Sequence, residues 1–157
     1  MDATTIGLST TDDLTGRFLT FWIGDAIYGI ELLNVLEIVK VQPIMRVPEV
    51  ASYIKGIINL RGKIVPVIDV RLKFNYPSTA YDEKTCIIVI DINDMRVGLI
   101  VDRVLEVMGI DQKERTPPPN TAGTNQYLNS IANINGRIIM IIDCQKFFAS
   151  DLGTVDV

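Results

Sequence analysis

Five side chains in this sequence sit where their type invites chemistry: two carboxylates, two thiols and one guanidinium. Asp69 and Asp143 each close an apolar run, at matching places in the two halves of the chain. Paired carboxylates suit general acid–base catalysis or a hard metal ion. Neither has a third carboxylate beside it in sequence. Each ends a predicted strand and precedes a short helical turn, so an N-cap is the better reading of both. Cys86 and Cys144 lie far apart, each inside an apolar run, and match neither a CxxC redox motif nor zinc-ligand spacing. They read as two reduced, buried thiols. The chain has no histidine, which removes Ser-His-Asp and Cys-His catalysis and histidine metal sites. The phosphate-loop, dinucleotide and GxSxG patterns are missing as well. No catalytic residue, cofactor or metal ion is expected.

Arg61 is the sharpest candidate for recognition. It shares a predicted turn with Gly62, where turn chemistry asks for Asn, Asp or Gly. A guanidinium at a hairpin tip can grip a partner's carboxylate or carbonyls in bidentate fashion, or stand idle in solvent. Glu37 interrupts an apolar strand, VLEIV, and can pair with Arg61 or with a partner cation. Glu106, in VLEVM, reads as a solvent-facing strand residue. Strand alternation sets Val35, Glu37 and Val39 on one face and Leu36 and Ile38 on the other. One face can be core and the other an apolar patch for a partner, or both can be buried.

The elements that must position these residues are written twice. Ile57–Phe74 (IINLRGKIVPVIDVRLKF) matches Ile131–Phe148 (IANINGRIIMIIDCQKFF) at seven of eighteen positions, at an offset of 74. Ile23–Ile38 matches Ile92–Val107 at six of sixteen, at an offset of 69. The second half therefore carries about five extra residues, assigned to Thr116–Gln126 (TPPPNTAGTNQ), where Pro and Gly predict a surface loop without regular structure. Two similar units are expected, near residues 18–75 and 85–149. Each is marginal in size alone, so they either pack together or exchange strands.

Within each unit the runs are short and β-like. Strands are predicted over Phe18–Ile23, Ile27–Ile30, 35–41, Cys86–Ile92 and Arg96–Asp102, with turns at Gly24-Asp25, Asn93-Asp94 and Asn135-Gly136. Helical turns are predicted at Glu31–Asn34, Arg71–Phe74 and Gln145–Phe148. Pro66 cannot donate to a ladder, so it marks an edge or a bulge. Strands at this spacing without a long helix predict an all-β protein of small barrels.

Composition bounds the rest. Nearly half of the 157 residues are hydrophobic, enough for a proper core. The formal net charge is −4, with no Lys/Arg block, which speaks against nucleic acid as a partner. The apolar runs fall well short of the ~20 residues of a membrane-spanning helix. Met1–Gly16 lacks the features of a signal peptide and reads as a disordered tail, as does 150–157; a cytoplasmic location is expected.

The residues also carry a resemblance. FLTFWIGDAIYG (Phe18–Gly29), Glu37 in VLEIV, IKGIINLRGKIVPVIDVRLKF and VGLIVDRVLEVM resemble the CheW-like domain family, from about Phe18 to Phe148. The NLRG-x-IVPVIDVR block is the specific part. The resemblance implies one such domain over 17–149, built of two five-stranded SH3-like β-barrels with short helical turns. It implies a non-catalytic adaptor that couples the cytoplasmic tip of chemoreceptors to the regulatory domain of the histidine kinase CheA, associated with receptor arrays through its partners. By position, the family's kinase-facing apolar residues fall on Leu19, Leu32 and Val35. Its receptor-groove arginine falls on Arg61, its strand glutamate on Glu37 and a small groove residue on Cys86. Val35 fits either interface. A scaffold of another chemosensory pathway, such as surface motility, fits the same residues.

Overall fold

The computed structural model describes residues 14–119 and 122–149. Both expected tails fall outside them, apart from residues 14–16. Among the described residues, eleven strands and two short helices follow one another as β1 (Arg17–Ile23), β2 (Ala26–Glu31), β3 (Val35–Lys40), β4 (Ile54–Leu60), β5 (Lys63–Asp69), α1 (Val70–Lys73), β6 (Cys86–Ile92), β7 (Met95–Val101), β8 (Arg103–Gly109), β9 (Arg115–Thr116), β10 (Leu128–Ile134), β11 (Arg137–Ile142) and α2 (Cys144–Phe148). Short 3₁₀ turns occupy Leu32–Asn34, Gln112–Glu114 and Gly123–Tyr127.

Neither sheet is contiguous in sequence. The first runs β3-β6-β7-β5-β4 and the second β8-β1-β2-β11-β10-β9. The 69- and 74-residue offsets map β3 on β8, β6 on β1, β7 on β2, β5 on β11 and β4 on β10. The two sheets thus follow one plan, and each joins the leading hairpin of one half to the trailing strands of the other. Only the parallel contacts β5–β7 and β11–β2 break an otherwise antiparallel pattern.

Closed barrels were the expectation, but the ladders stop short. Both sheets are open, and β3 and β4 end the first without pairing to each other. Each curls enough to enclose a small cluster of its own: Val65, Val67, Ile87, Val89 and Ile100 in the first, Phe18, Ile27, Ile110, Ile139 and Ile141 in the second. A third and larger cluster unites the sheets, with Phe21, Ile23 and Ile30 from one, Ile88, Ile90 and Leu99 from the other, and Phe74, Phe147 and Phe148 between. Period-two alternation produces this arrangement, since Leu19, Phe21 and Ile23 face the shared cluster while Phe18 and Trp22 face the second sheet's own.

Polar contacts reinforce the joint. Arg71 forks onto Asp102 at 2.8 and 2.9 Å, and the same carboxylate accepts from the Gly24 amide at 2.7 Å. The buried Lys73 ammonium donates to the Phe147 carbonyl at 2.6 Å, with the rings of Tyr53, Tyr127 and Phe147 within 5 Å of it.

Two local expectations change. The segment Thr116–Gln126 does contain regular structure among its described residues, because Thr116 ends β9, which pairs with Ile131 and Ala132, and a 3₁₀ turn spans Gly123–Tyr127. Gly123 tolerates the positive φ that starts that turn, so a residue read as a breaker opens a helix-like element instead. Pro66 lies on a strand flanked on both sides, not on an edge. The parallel pairing to β7 begins one residue later, at Val67, so Pro66 itself has β4 as its single ladder neighbour.

Candidate functional site: the open seam of the first sheet

The hairpin joining β4 and β5 turns at Arg61-Gly62, with φ of 52° and 85°. Both residues are left-handed, as a type I′ turn requires. The Asn59 side chain holds the turn by accepting from the Gly62 amide at 2.8 Å. The second sheet repeats the device with Asn133 and Gly136 at 3.0 Å, and gives the tip to Asn135. Arginine at the tip is thus an addition to the turn and is not required by it. Its side chain is 67% exposed.

Arg61 and Glu37 meet. The guanidinium donates to a Glu37 carboxylate oxygen, closing with side chains a seam that the backbone ladders leave open between β4–β5 and β3. Glu37 lies in the middle of β3, on the inward face with Val35 and Val39, and keeps 29% of its side chain exposed. The strand alternates without exception, and structure settles which face is which. Val35 packs on the shared cluster and Val39 on the first sheet's own, while Leu36 and Ile38 stand out at 46% and 45% exposure. The strand thus carries an exposed apolar pair on its outward face and, from its inward face, the carboxylate that meets Arg61 at the rim.

The remaining candidates divide. Leu32, first residue of the 3₁₀ turn before β3, is half-buried against the shared cluster, as is Val35. Leu19 is different. Expected on a kinase-facing surface, it is 3% exposed on β1 and faces the core, because alternation sends it inward with Phe21. Cys86 begins β6 opposite Lys40 and Val101 and is half-buried; burial pushes its thiol pKa up. Cys144 is fully buried, and its thiol is pushed up to about 12 by burial and then by the negative Glu31 and Asp143. Thiols so raised hold little reactive thiolate at neutral pH.

The carboxylates that might have been catalytic are caps. Asp69 accepts from the Leu72 amide at 3.4 Å and from the Tyr81 hydroxyl at 2.8 Å; Asp143 accepts from the Lys146 amide at 3.2 Å. Burial, and then the bond to Asp69, push the Tyr81 phenol upward. Among the described residues no group of His, Cys, Asp and Glu is arranged to hold a metal ion, and no helix is long and apolar enough to cross a membrane.

Sequence reasoning missed two features. Ile64 and Ile138, identical positions of the repeat, both stand exposed just past their hairpin tips. Their recurrence two residues after each turn glycine was the available signal. Glu106 also has a cation near it, Arg137 at 3.7 Å, a looser and more exposed echo of Glu37 and Arg61.

Comparison with known proteins agrees with this geometry. The model of the CheW-like domain matches residues 17–152. The chain is 36% identical to the chemotaxis protein CheW of Klebsiella aerogenes over 152 residues, 92% of each chain. It is 37% identical to that of Helicobacter pylori over 136 residues, 86% of this chain and 82% of the relative. The crystal structure of the scaffolding protein TtCheW from Thermoanaerobacter tengcongensis superposes with a TM-score of 0.78 at 35% identity, covering 87% of this chain and 89% of that one. The chain belongs to the CheW-like domain family.

Proposed function

We propose that this protein is a non-catalytic chemotaxis adaptor, which couples the cytoplasmic tips of chemoreceptors to the regulatory domain of the histidine kinase CheA. The observation that carries the reading is the Arg61–Glu37 pair, presented at a hairpin tip that the repeat shows can be built without arginine. In this reading each curled sheet acts as an SH3-like barrel, and the receptor helix docks where Arg61, Glu37 and Cys86 are offered. The kinase surface is formed by Leu32 and Val35. Leu19 supports it from beneath, since its own side chain is core. The protein works in the cytoplasm and is held at membrane arrays by its partners. Its contribution is mechanical: it binds receptor and kinase together so that a change in the one biases the other, which requires contacts that differ between the two signalling states.

Two titrations test this. A kinase regulatory domain and a receptor cytoplasmic fragment are each titrated into the full chain and into Arg61→Ala by calorimetry. Wild type is expected to bind both, and Arg61→Ala to lose the receptor by tenfold or more while keeping the kinase, since docking would bury the exposed pair and truncating one partner of a buried charge pair costs about 2–5 kcal/mol. Failure of wild type to bind either partner would overturn the adaptor reading. Loss of both partners in Arg61→Ala would remove the separate role of that residue.

A further inference from the structure

The second sheet keeps a polar pair where the first has none. Register equates the two places: Ile57 pairs with Met45, and its counterpart Ile131 pairs with Thr116, so Arg115 stands where the first sheet has Ile44. The 74-residue offset sets Ser130 on Gly56. Both sheets have a register shift here, between Ile54 and Gly56 in one and Leu128 and Ser130 in the other. The fold therefore builds this corner from isoleucine and glycine and does not need arginine and serine.

The polar pair is also incompletely used. Ser130 is 6% exposed, and its hydroxyl has no hydrogen-bond partner among the described residues. Arg115 gives one terminal nitrogen to the Ile110 carbonyl at 3.2 Å and lays its guanidinium over the Phe18 ring at 5.0 Å, yet its Nε–H is buried and unpartnered. Buried donors in native proteins are almost always paired, so two orphans together indicate a missing partner. Both residues line a cavity of about 280 Å³ with Gln112, Thr116, Pro117 and Asn129. Its lining carries one positive charge and no carboxylate. Glu31 and Asp111 line a neighbouring cavity that shares Gln112 and Arg115, and Glu114 is turned away onto the Asp111 amide at 2.9 Å.

We propose that this cavity is an oxyanion site, in which the Arg115 guanidinium and the Ser130 hydroxyl receive the oxygens of a carboxylate or phosphoryl group. A guanidinium fork matches two such oxygens, and an anion cancels a charge that a water molecule leaves standing. Both orphaned atoms are closed off from solvent although their residues line the cavity, so binding requires the Ser130 hydroxyl and the Arg115 Nε–H to turn toward the occupant. The site lies on the second sheet, away from the Arg61 tip, and does not depend on the adaptor reading.

The test is an NMR titration of the full chain with acetate and, separately, with inorganic phosphate, following the Arg115 Nε–H and the Ser130 amide. Both signals should saturate with one midpoint. Acetate as the tighter ligand identifies a carboxylate, the acidic side chain of a docked protein included; phosphate as the tighter ligand identifies a phosphoryl group. R115I, which copies the first sheet's isoleucine, should abolish saturation. S130G, which copies its glycine, should weaken the midpoint about tenfold, the worth of one charge-assisted hydrogen bond. Shifts that never saturate in wild type mean that water alone occupies the cavity, and an S130G titration indistinguishable from wild type takes the Ser130 hydroxyl out of the site; either result overturns the proposal.

Discussion

The two sheets of this molecule are one design executed twice, and they differ in how each secures its third strand. In the second sheet, β8 runs past a register shift against β1, and the buried Thr20 hydroxyl fills the gap. It donates to the Glu106 carbonyl at 2.7 Å and accepts from the Glu106 amide at 3.2 Å. In the first sheet the same shift occurs between Val35 and Glu37 against β6, but the offset places Val89 where Thr20 would be. There the bracing comes from outside the strand, as the Glu37 side chain reaches to Arg61. One sheet pins its strand internally by a buried hydroxyl; the other leaves that work to an exposed ion pair at its rim. A strand held at the rim is also a strand that a partner can grip, and the outward Leu36 and Ile38 stand on it.

The largest expected break in this symmetry is at Gly56. A Cβ there would collide with the Met45 carbonyl, at a φ of 144° that other residues avoid. Gly56→Ala should therefore cost at least about 3 kcal/mol, through backbone clash and strain together. Its counterpart Ser130 already carries a Cβ, so Ser130→Ala should shift stability by no more than about 0.5 kcal/mol, the loss of a hydroxyl without a partner being nearly neutral. Urea unfolding of both variants decides it. Equal losses would show that the two corners are not equivalent in the way the register implies.

Next comes the joint between the sheets. Lys73 and Phe147 occupy matching positions of the repeat, and they touch each other: the ammonium of one donates to the carbonyl of the other. Replacing Lys73 with Met keeps the length and removes the charge. The Phe147 carbonyl loses that donor and three rings lose a cation, so a loss of about 2–3 kcal/mol is expected in the same unfolding experiment. A neutral outcome would mean that the Lys73 contact adds nothing to the union of the sheets.

The glycines of the repeat sharpen the comparison further. Gly98 and Gly29 match, but a Cβ on Gly98 would come within 2.7 Å of the Ile87 and 2.8 Å of the Val67 side chains, whereas on Gly29 it would meet nothing closer than 3.5 Å. Gly98→Ala should cost about 1–2 kcal/mol by overpacking, and Gly29→Ala less than about 0.5 kcal/mol. Reversal of that order, read from thermal unfolding, would place the tighter strand approach in the wrong sheet.

These contrasts also mark what the sequence made legible. The repeat, the hairpin turns and the two aspartate caps were readable because each depends on local residue types: Asn-Gly for left-handed turns, Asp before a helical turn. The pairing of Glu37 with Arg61 was one of the options the sequence allowed, since both stood out against their surroundings. The inward turn of Leu19 was not foreseen, although period two from Phe21 implies it, because a position carried over from a family says nothing about which face it takes. Strand exchange was left open for a different reason. Which half supplies the neighbour of β2 depends on the crossover of β11 beside it, a long-range choice that no local pattern encodes. Arg115 and Ser130 carry no repeat signal, because both fall in the stretch between the matched blocks that end at Val107 and begin at Ile131.

The smallest effect on stability is expected at the rim, where the comparison matters most for function. Arg61→Ala removes an exposed side chain from an exposed pair, and Arg137→Ala does the same at 3.7 Å from Glu106. Such pairs contribute about 0–1 kcal/mol, so both variants should unfold within about 1 kcal/mol of wild type. Their binding should differ. Glu106 keeps its backbone pinned by Thr20 whether or not Arg137 is present, so Arg137→Ala should titrate a receptor fragment like wild type. Arg61→Ala leaves Glu37 half-buried without its cation, on a strand lacking that internal pin, and should lose the fragment. If both variants lose it equally, the rim pair is a general surface charge and the asymmetry between the sheets has another purpose. If Arg61→Ala instead unfolds by several kcal/mol, the pair is a structural clasp on the open seam, and the side chain at the tip is there to hold β3 and not to meet a partner.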